Sequence, residues 1–314
     1  MMGTEKNQST AIVFILLGFS EYPELKVPLF LLFLTMYAIT VLGNVGMIVI
    51  IRINPKLQTP MYFFLKHLSF VDFCYSTIAT PKLLENLVVE DRSVSIKTCM
   101  TQFSFGTTCV LTEMVMLAVM AYDRFVAICY PLIYTVSISP ARCVLLVTVA
   151  YAWGIISTSV LTYSLVILSY CETKIIDNFV CEYALFLSAS CSDIHFSEII
   201  LFIFANLSAF FTLIIILTSY LFIFVTILKM HSASGRYKAF STCASHMTAV
   251  TLFYGTIFFL YCIPSFQSSK LVMKVGSVFY TVMIPMLNPL IYSLRNKDVK
   301  ETFRKLMHLK IISQ

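Results

Sequence analysis

Three groups of side chains in this sequence could do chemistry, and none of them is a catalytic set. Asp123 and Arg124 stand side by side within MAYDRFVAICYPLIY (120–134), at the end of a long apolar run. An acid and a base in that position can neutralise each other or exchange partners with a neighbouring segment, which is the chemistry of a switch. The plainer alternative is a positive flank that only sets orientation. Asp72 and Glu113 are carboxylates deep in other apolar runs, where a bare charge is costly and each needs a partner or a proton. Together they could hold a sodium ion or share a proton; the alternative is a hydrogen-bonded polar knot. The ten cysteines form the third group. No H-E-x-x-H, G-x-S-x-G or phosphate loop occurs, and the five histidines are scattered, so an enzyme is not expected.

The elements that must position these groups are set by composition. Hydrophobic residues make up 59% of the chain and charged residues only 12%, about half the share usual for a soluble domain. So much apolar surface belongs in a bilayer. A span needs about 20 apolar residues, and seven stretches qualify: 27–51, 62–88, 99–129, 142–168, 198–228, 239–263 and 271–294. The second is the least clean, carrying Lys66, Asp72, Lys82 and Glu85. The expected fold is therefore all-α, a seven-transmembrane helix bundle over 27–294. An extracellular N-terminal segment, 1–26, precedes it. A cytoplasmic tail, 295–314, follows, with a short amphipathic helix at 296–309. There Val299, Phe303, Leu306 and Met307 lie on one side and Lys300, Arg304 and Lys305 elsewhere, a pattern suited to lipid contact on an anionic leaflet.

Orientation follows from Lys and Arg. Arg52, Lys56, Lys66, Arg124, Arg142, Lys229, Arg236, Lys238 and the basic run from Arg295 to Lys310 gather at one set of ends, which become the cytoplasmic ones. Lys6, Lys26, Lys82, Arg92, Lys97, Lys174, Lys270 and Lys274 fall at the other, mixed with most of the acids. The apolar stretch 11–19 has no net positive flank and no small-residue cleavage site after it, so it is expected to stay as an uncleaved extracellular segment. Asn7 begins a glycosylation acceptor there. Cys99, Cys171, Cys181 and Cys191 fall on the outer side, where disulfides persist and four cysteines allow three pairings. A zinc site with His195 is the alternative, though no C-x-x-C pair supports it. Pro285 and Pro289 interrupt the seventh run, so a kink is expected and other groups must satisfy the carbonyls that they free.

Seven spans with Asp123-Arg124 at the inner end of the third resemble a rhodopsin-like G-protein-coupled receptor. Further motifs narrow the resemblance: Pro60-Met61-Tyr62-Phe63-Phe64-Leu65, Ser219-Tyr220, the stretch from Lys238 to His246 (KAFSTCASH), Phe253-Tyr254-Gly255, and the stretch from Pro285 to Tyr292 (PMLNPLIY). Together they are similar to the odorant receptors, in particular the tetrapod-type class, over nearly the whole chain. Phe125 stands where that family usually has Tyr. The Cys-Trp-x-Pro element of other rhodopsin-like receptors is absent from the sixth span, and Tyr254 occupies its region. Trp153 lies in the fourth span, where the wider superfamily also has a tryptophan.

The resemblance implies a function: a small volatile odorant binds in the outer half of the bundle, and a heterotrimeric G protein of the olfactory, stimulatory type raises cyclic AMP. It implies a multi-pass plasma-membrane protein with no nucleic-acid partner and no cofactor beyond a possible sodium ion. Asp123, Arg124, Tyr220, Lys238, Tyr254, Asn288, Pro289 and Tyr292 would form the switch and G-protein surface, with Arg124 held by Asp123 at rest. Asn44, Asp72, Glu113 and Asn288 would surround the sodium ion or proton. Gly106, Thr107, Val110, Leu111, Ala205, Ser208, Ile257, Phe258, Tyr261 and Thr281 would line the ligand pocket. Cys99 would pair with Cys181, and Cys171 with Cys191. A seven-span transporter or channel is the competing class; only Asp72 and Glu113 favour it, and no internal repeat or ring of like charge accompanies them.

Overall fold

A computed structural model describes residues 13–19, 23–171, 174–176, 178–262, 270–295 and 299. Asn7, the expected helix at 296–309 (Val299 aside) and the side chains of Lys238 and Tyr261 lie outside the described residues. Helix follows helix along the chain. The first long ones are α1 (Lys26–Ile53), α2 (Pro60–Val88) and α3 (Ile96–Cys129); a short α4 (Tyr134–Ser137) leads to α5 (Pro140–Val166). Then come two short outer helices, α6 (Tyr183–Ala189) and α7 (His195–Leu201), with α7 running through a π-helical turn, Phe202–Asn206, into α8 (Leu207–Lys229). Last are α9 (Ala233–Cys262), α10 (Lys270–Val278), a second π-helical turn at Phe279–Met283, and α11 (Ile284–Arg295). The described chain is a bundle of membrane-length helices.

Local chemistry sets the helix starts. Ser95 Oγ accepts from Thr98 N–H at 3.1 Å, capping α3. Ser139 Oγ accepts from Arg142 N–H ahead of Pro140, so α5 has both a cap and a proline in its first turn. Among the described residues, five helical stretches are long and apolar enough to cross a membrane by composition: Pro23–Ile53, Ile96–Cys129, Pro140–Val166, His195–Lys229 and Leu271–Tyr292. α2 and α9 have the length, at 29 and 30 residues, but carry polar groups that the bundle buries, among them Asp72, Ser76 and His246.

α3 is the axis. Every residue from Met116 to Ala121 is buried, as are Leu111 to Met114, so the helix is enclosed on all sides. It lies against α2, α5 and α8. The outward faces of α8, by contrast, present Phe210, Phe211, Leu217, Leu221 and Phe222 to the surroundings, as lipid contact requires.

The outer end adds an element that the all-α expectation did not contain. Val13–Leu16 is a strand, β1, between β2 (Ser93–Ser95) and β3 (Lys174–Ile176); it runs antiparallel to the first and parallel to the second. Its side chains alternate, and Phe14 and Leu16 are fully buried. Within the apolar stretch 11–19, Val13–Leu16 thus forms a strand whose buried face packs into the outer loops. Disulfides join Cys99 to Cys181 and Cys171 to Cys191, fastening the loop over α3.

Helix approach is close where α5 crosses α3. A methyl group built on Gly154 would overlap Thr112 Oγ1 and the Thr108 carbonyl, whereas one on Gly46 would meet nothing. We predict that Gly154→Ala lowers the thermal unfolding midpoint of the purified receptor by overpacking, at a cost of about 1–3 kcal/mol. Gly46→Ala should leave that midpoint unchanged, and equal effects at the two positions would refute the account.

Candidate functional site

Polar groups run through the bundle in three tiers. In the middle tier, Asp72 of α2 and Glu113 of α3 are both buried. Asn288 of α11 bridges them: its Nδ2 donates to Asp72 Oδ2 at 3.0 Å and to Glu113 Oε1 at 3.2 Å. Asn44 of α1 stands in the same tier with a different task. Pro289 has no N–H to return to the Pro285 carbonyl four residues back. Asn44 Nδ2 supplies the missing donor at 2.9 Å, and also donates to Thr40 O at 3.0 Å. The kink expected of Pro285 and Pro289 takes the form of the π-helical turn just before Pro285, followed by a helix that continues through Pro289.

Among the described residues, Asp72 Oδ1 and Asn44 Oδ1 are buried acceptors with no hydrogen-bond partner. Carboxylate and amide oxygens are the donor type that hard cations take. They are equally suited to water, which needs polar partners of this kind.

The inner tier surrounds Arg124, which is only 4% exposed. Among the described residues no ion pair joins it to Asp123. Successive residues on a helix project about 100° apart, so the two heads part. Arg124 Nη1 donates to the Thr242 carbonyl of α9, and Asp123 Oδ1 accepts from Tyr134 O–H at 2.8 Å. Burial, and then the Asp123 carboxylate beside it, push the Tyr134 phenol above its ordinary range. Tyr220 of α8 meets His246 of α9 at 2.7 Å, with the two rings stacked. Tyr292 is buried, and its hydroxyl has no partner among the described residues. Phe125 packs against Tyr130 and Phe222.

In the outer half, Gly106, Leu111, Ser208 and Thr281 are buried, and Thr107, Val110, Ala205 and Ile257 are half-buried. Phe258 does not join them. It is 62% exposed, on the outward side of α9, because its neighbour Ile257 takes the inward position and the next residue lies about 100° round. Ser208 is already engaged: Trp153 Nε1 donates to its hydroxyl at 3.2 Å, and that hydroxyl donates to Phe204 O inside the π-helical turn. Thr212 Oγ1 donates to Ser208 O at 2.7 Å and accepts from Tyr254 O–H at 2.7 Å, which links Ser208 to α9.

Several residues of these tiers had no assigned role in the sequence. Tyr134 lies in the same stretch as Asp123, and His246 in the stretch that opens the sixth span, but spacing alone pairs neither. Glu182 is a hub under the outer loop, its Oε1 accepting from Asn178, Ser277 and Tyr280 at 3.2, 2.9 and 2.6 Å. Lys274, which the charge count places at an outer end, is 1% exposed. The run Lys274, Ser277, Thr281, spaced for one helix face, was the available signal.

The Asn44–Pro285 bond yields a test. Asn44→Ala removes the side-chain donor to Pro285 O, and a buried carbonyl that loses its partner costs about 1–3 kcal/mol. The expected result is an unfolding midpoint in detergent below that of the unaltered receptor. An unchanged midpoint would remove Asn44 from this role.

Comparison with known proteins agrees with this architecture. The model of the olfactory receptor family matches residues 33–310. Human olfactory receptor 5D13 is 59% identical over 312 residues, 99% of either chain. Human olfactory receptor 5D18 is 59% identical over 313 residues and the full length of both. Mouse olfactory receptor 1165 is 59% identical over 305 residues, covering 97% of this chain and 96% of its own. A bundle of membrane-length helices, Arg124 buried at its inner end and a match along nearly the whole sequence lead to one conclusion: the chain belongs to the olfactory receptor family.

Proposed function

We propose that the chain is an odorant receptor that binds a small, mostly apolar volatile molecule in the outer half of the bundle. It then activates a stimulatory, olfactory-type G protein to raise cyclic AMP. The observation that carries this reading is the inner tier. Arg124 is buried without a carboxylate at salt-bridge distance among the described residues, and a carbonyl of α9 holds it. Such an arrangement is poised rather than locked. If the inner end of α9 moves away, the guanidinium loses its acceptor and needs another, which a G-protein helix can offer. Tyr220 and Tyr292 border the space into which it would turn.

The ligand class rests on Gly106, Thr107, Val110, Leu111, Ala205, Ser208, Ile257 and Thr281. They are apolar or carry one hydroxyl, with no charge among them, and so favour dispersion contacts with one or two hydrogen bonds. Orientation in the plasma membrane, N-terminus outside, is supported by the two disulfides, which lie at the end opposite Arg124 and form in oxidising compartments. In the middle tier, Asp72, Glu113 and the free oxygen of Asn44 would hold a sodium ion. Its charge would stabilise two carboxylates side by side. Asn288 orients both carboxylates, and Asp72 and Asn288 tie α2 to α11 in the resting packing.

Two outcomes are expected. Arg124→Ala, at matched surface level, should abolish the cyclic AMP response to an activating odorant in cells supplied with the stimulatory G protein. A full response would overturn the coupling scheme. Replacing external sodium with a large organic cation should raise basal signalling of the unaltered receptor, and Asp72→Asn should remove that sensitivity. A variant that still responds to sodium would exclude the ion from this tier.

A further inference from the structure

We propose that this receptor binds an anionic phospholipid of the inner leaflet in a groove between α1, α2 and α5. The groove has a volume of about 670 Å³, and Ile48, Phe63, Phe70 and Tyr151 give it an apolar wall. Arg52 and Lys66 line it as well. Two other surface grooves of the described residues contain no cation. One, of about 540 Å³, lies between α8 and α9 and is lined by Ile223, Phe224 and Met247; the other, of about 390 Å³, is lined by Phe73, Phe105 and Cys109. Any acyl chain could lie in those two. Only the first joins an apolar trough to positive charge.

The placement of the charges points to a headgroup phosphate. Arg52 ends α1 and is exposed. Lys66 is six residues past the first residue of α2, about 9 Å along the axis at 1.5 Å per residue. Its ammonium reaches back toward the helix start and sits 4.9 Å from the centre of the Phe63 ring. Among the described residues neither cation has a carboxylate within 4.0 Å. A half-buried lysine at this depth in a bilayer is costly without a counter-charge, and a phosphate drawn to both cations would supply it. The rest of the site is built independently of any ligand. Gln58 Nε2 donates to the carbonyls of Ile51 at 2.8 Å and Arg52 at 3.3 Å, which fixes the end of α1. His67 is held between Phe63 and Tyr151, its Nδ1 3.5 Å from the Tyr151 hydroxyl. The anionic lipids of the cytoplasmic leaflet provide the matching charge.

The assignment to the inner leaflet rests on the orientation proposed above; the binding itself does not. The test uses the purified full-length receptor in detergent, titrated with phosphatidylinositol phosphate, phosphatidylcholine or cholesterol and read by native mass spectrometry. The phosphoinositide should bind and phosphatidylcholine should not compete. Arg52→Gln and Lys66→Gln should each weaken binding about fivefold, the attraction expected of one cation near an anionic headgroup. Lys229→Gln, at the inner end of α8 and outside the groove, should leave it unchanged. Equal loss at Lys229 would mean diffuse attraction and overturn the site. Indifference to both Arg52→Gln and Lys66→Gln, as a sterol occupant would give, would also overturn it. If Lys66→Gln fails to fold, the exposed Arg52 carries the test alone. Epitopes at the two ends, probed in intact cells, read orientation separately. Reversed orientation with intact binding would move the site to the other leaflet, and lost binding with correct orientation would remove the site and leave the receptor reading standing.

Discussion

Inside a bilayer no bulk water is at hand to take up a stray polar group, so a buried donor or acceptor without a partner is costly. That constraint decides the middle of this bundle. Pro289 strips the Pro285 carbonyl of its helical donor, and Asn44 replaces it from α1. Asp72 and Glu113 stand close together, and Asn288, from the same helix as the two prolines, reaches both. Four helices are therefore tied in one cross-section by two asparagines. Apolar packing alone would not fix which helix lies where, because lipid tails are as apolar as leucine.

The two ends of the bundle differ in how they are joined. The outer end is covalent and extensive: two disulfides, a three-stranded sheet with Phe14 and Leu16 beneath it, and a carboxylate at Glu182 that gathers three donors. The inner end has no covalent link among the described residues. It is held by Arg124 on a carbonyl, Tyr134 on Asp123 and Tyr220 on His246. A lid that is fastened and a base that is hydrogen-bonded suit the proposed receptor, since a ligand must find a formed pocket while the far end must be able to repack.

Much of this was legible in the sequence because apolar length and charge are direct readings of the membrane's demands. Each of the seven runs is helical over nearly all of its described residues, and α2 is so despite Lys66, Asp72, Lys82 and Glu85. The strand at Val13–Leu16 was missed: in a chain so apolar, the alternation of Phe14 and Leu16 does not stand out from its surroundings. Side-chain pairing was the other limit. The resemblance implied that Asp123 would hold Arg124, whereas the residues alone left each free to satisfy the other or a neighbouring helix; helical geometry sends neighbours in different directions, and each has a partner from another segment. The same rotation put Phe258 on the outside and Ile257 within. The π-helical turns at Phe202–Asn206 and Phe279–Met283 shift register by a residue, and of the two only the second has a nearby proline to announce it.

The ties on α9 set the scale of any switch. Thr242 to Arg124, His246 to Tyr220 and Tyr254 to Thr212 are spread along its length, one about a third of the way along, one a turn further near the middle and one about two turns beyond that. Hydrogen bonds of this kind contribute about 0.5–1.5 kcal/mol each, and up to about 3 where one partner is charged. Their sum is a few kcal/mol, the range in which a small ligand's preference for one packing can reverse a population. α3 cannot be the moving part on the same terms, because it is enclosed from Leu111 to Ala121 except at Val115, and shifting it would disturb three neighbours at once. Under the proposed mechanism a ligand beside Ser208 therefore acts on α9 most directly through Thr212 and Tyr254, where the polar link from the outer half already ends.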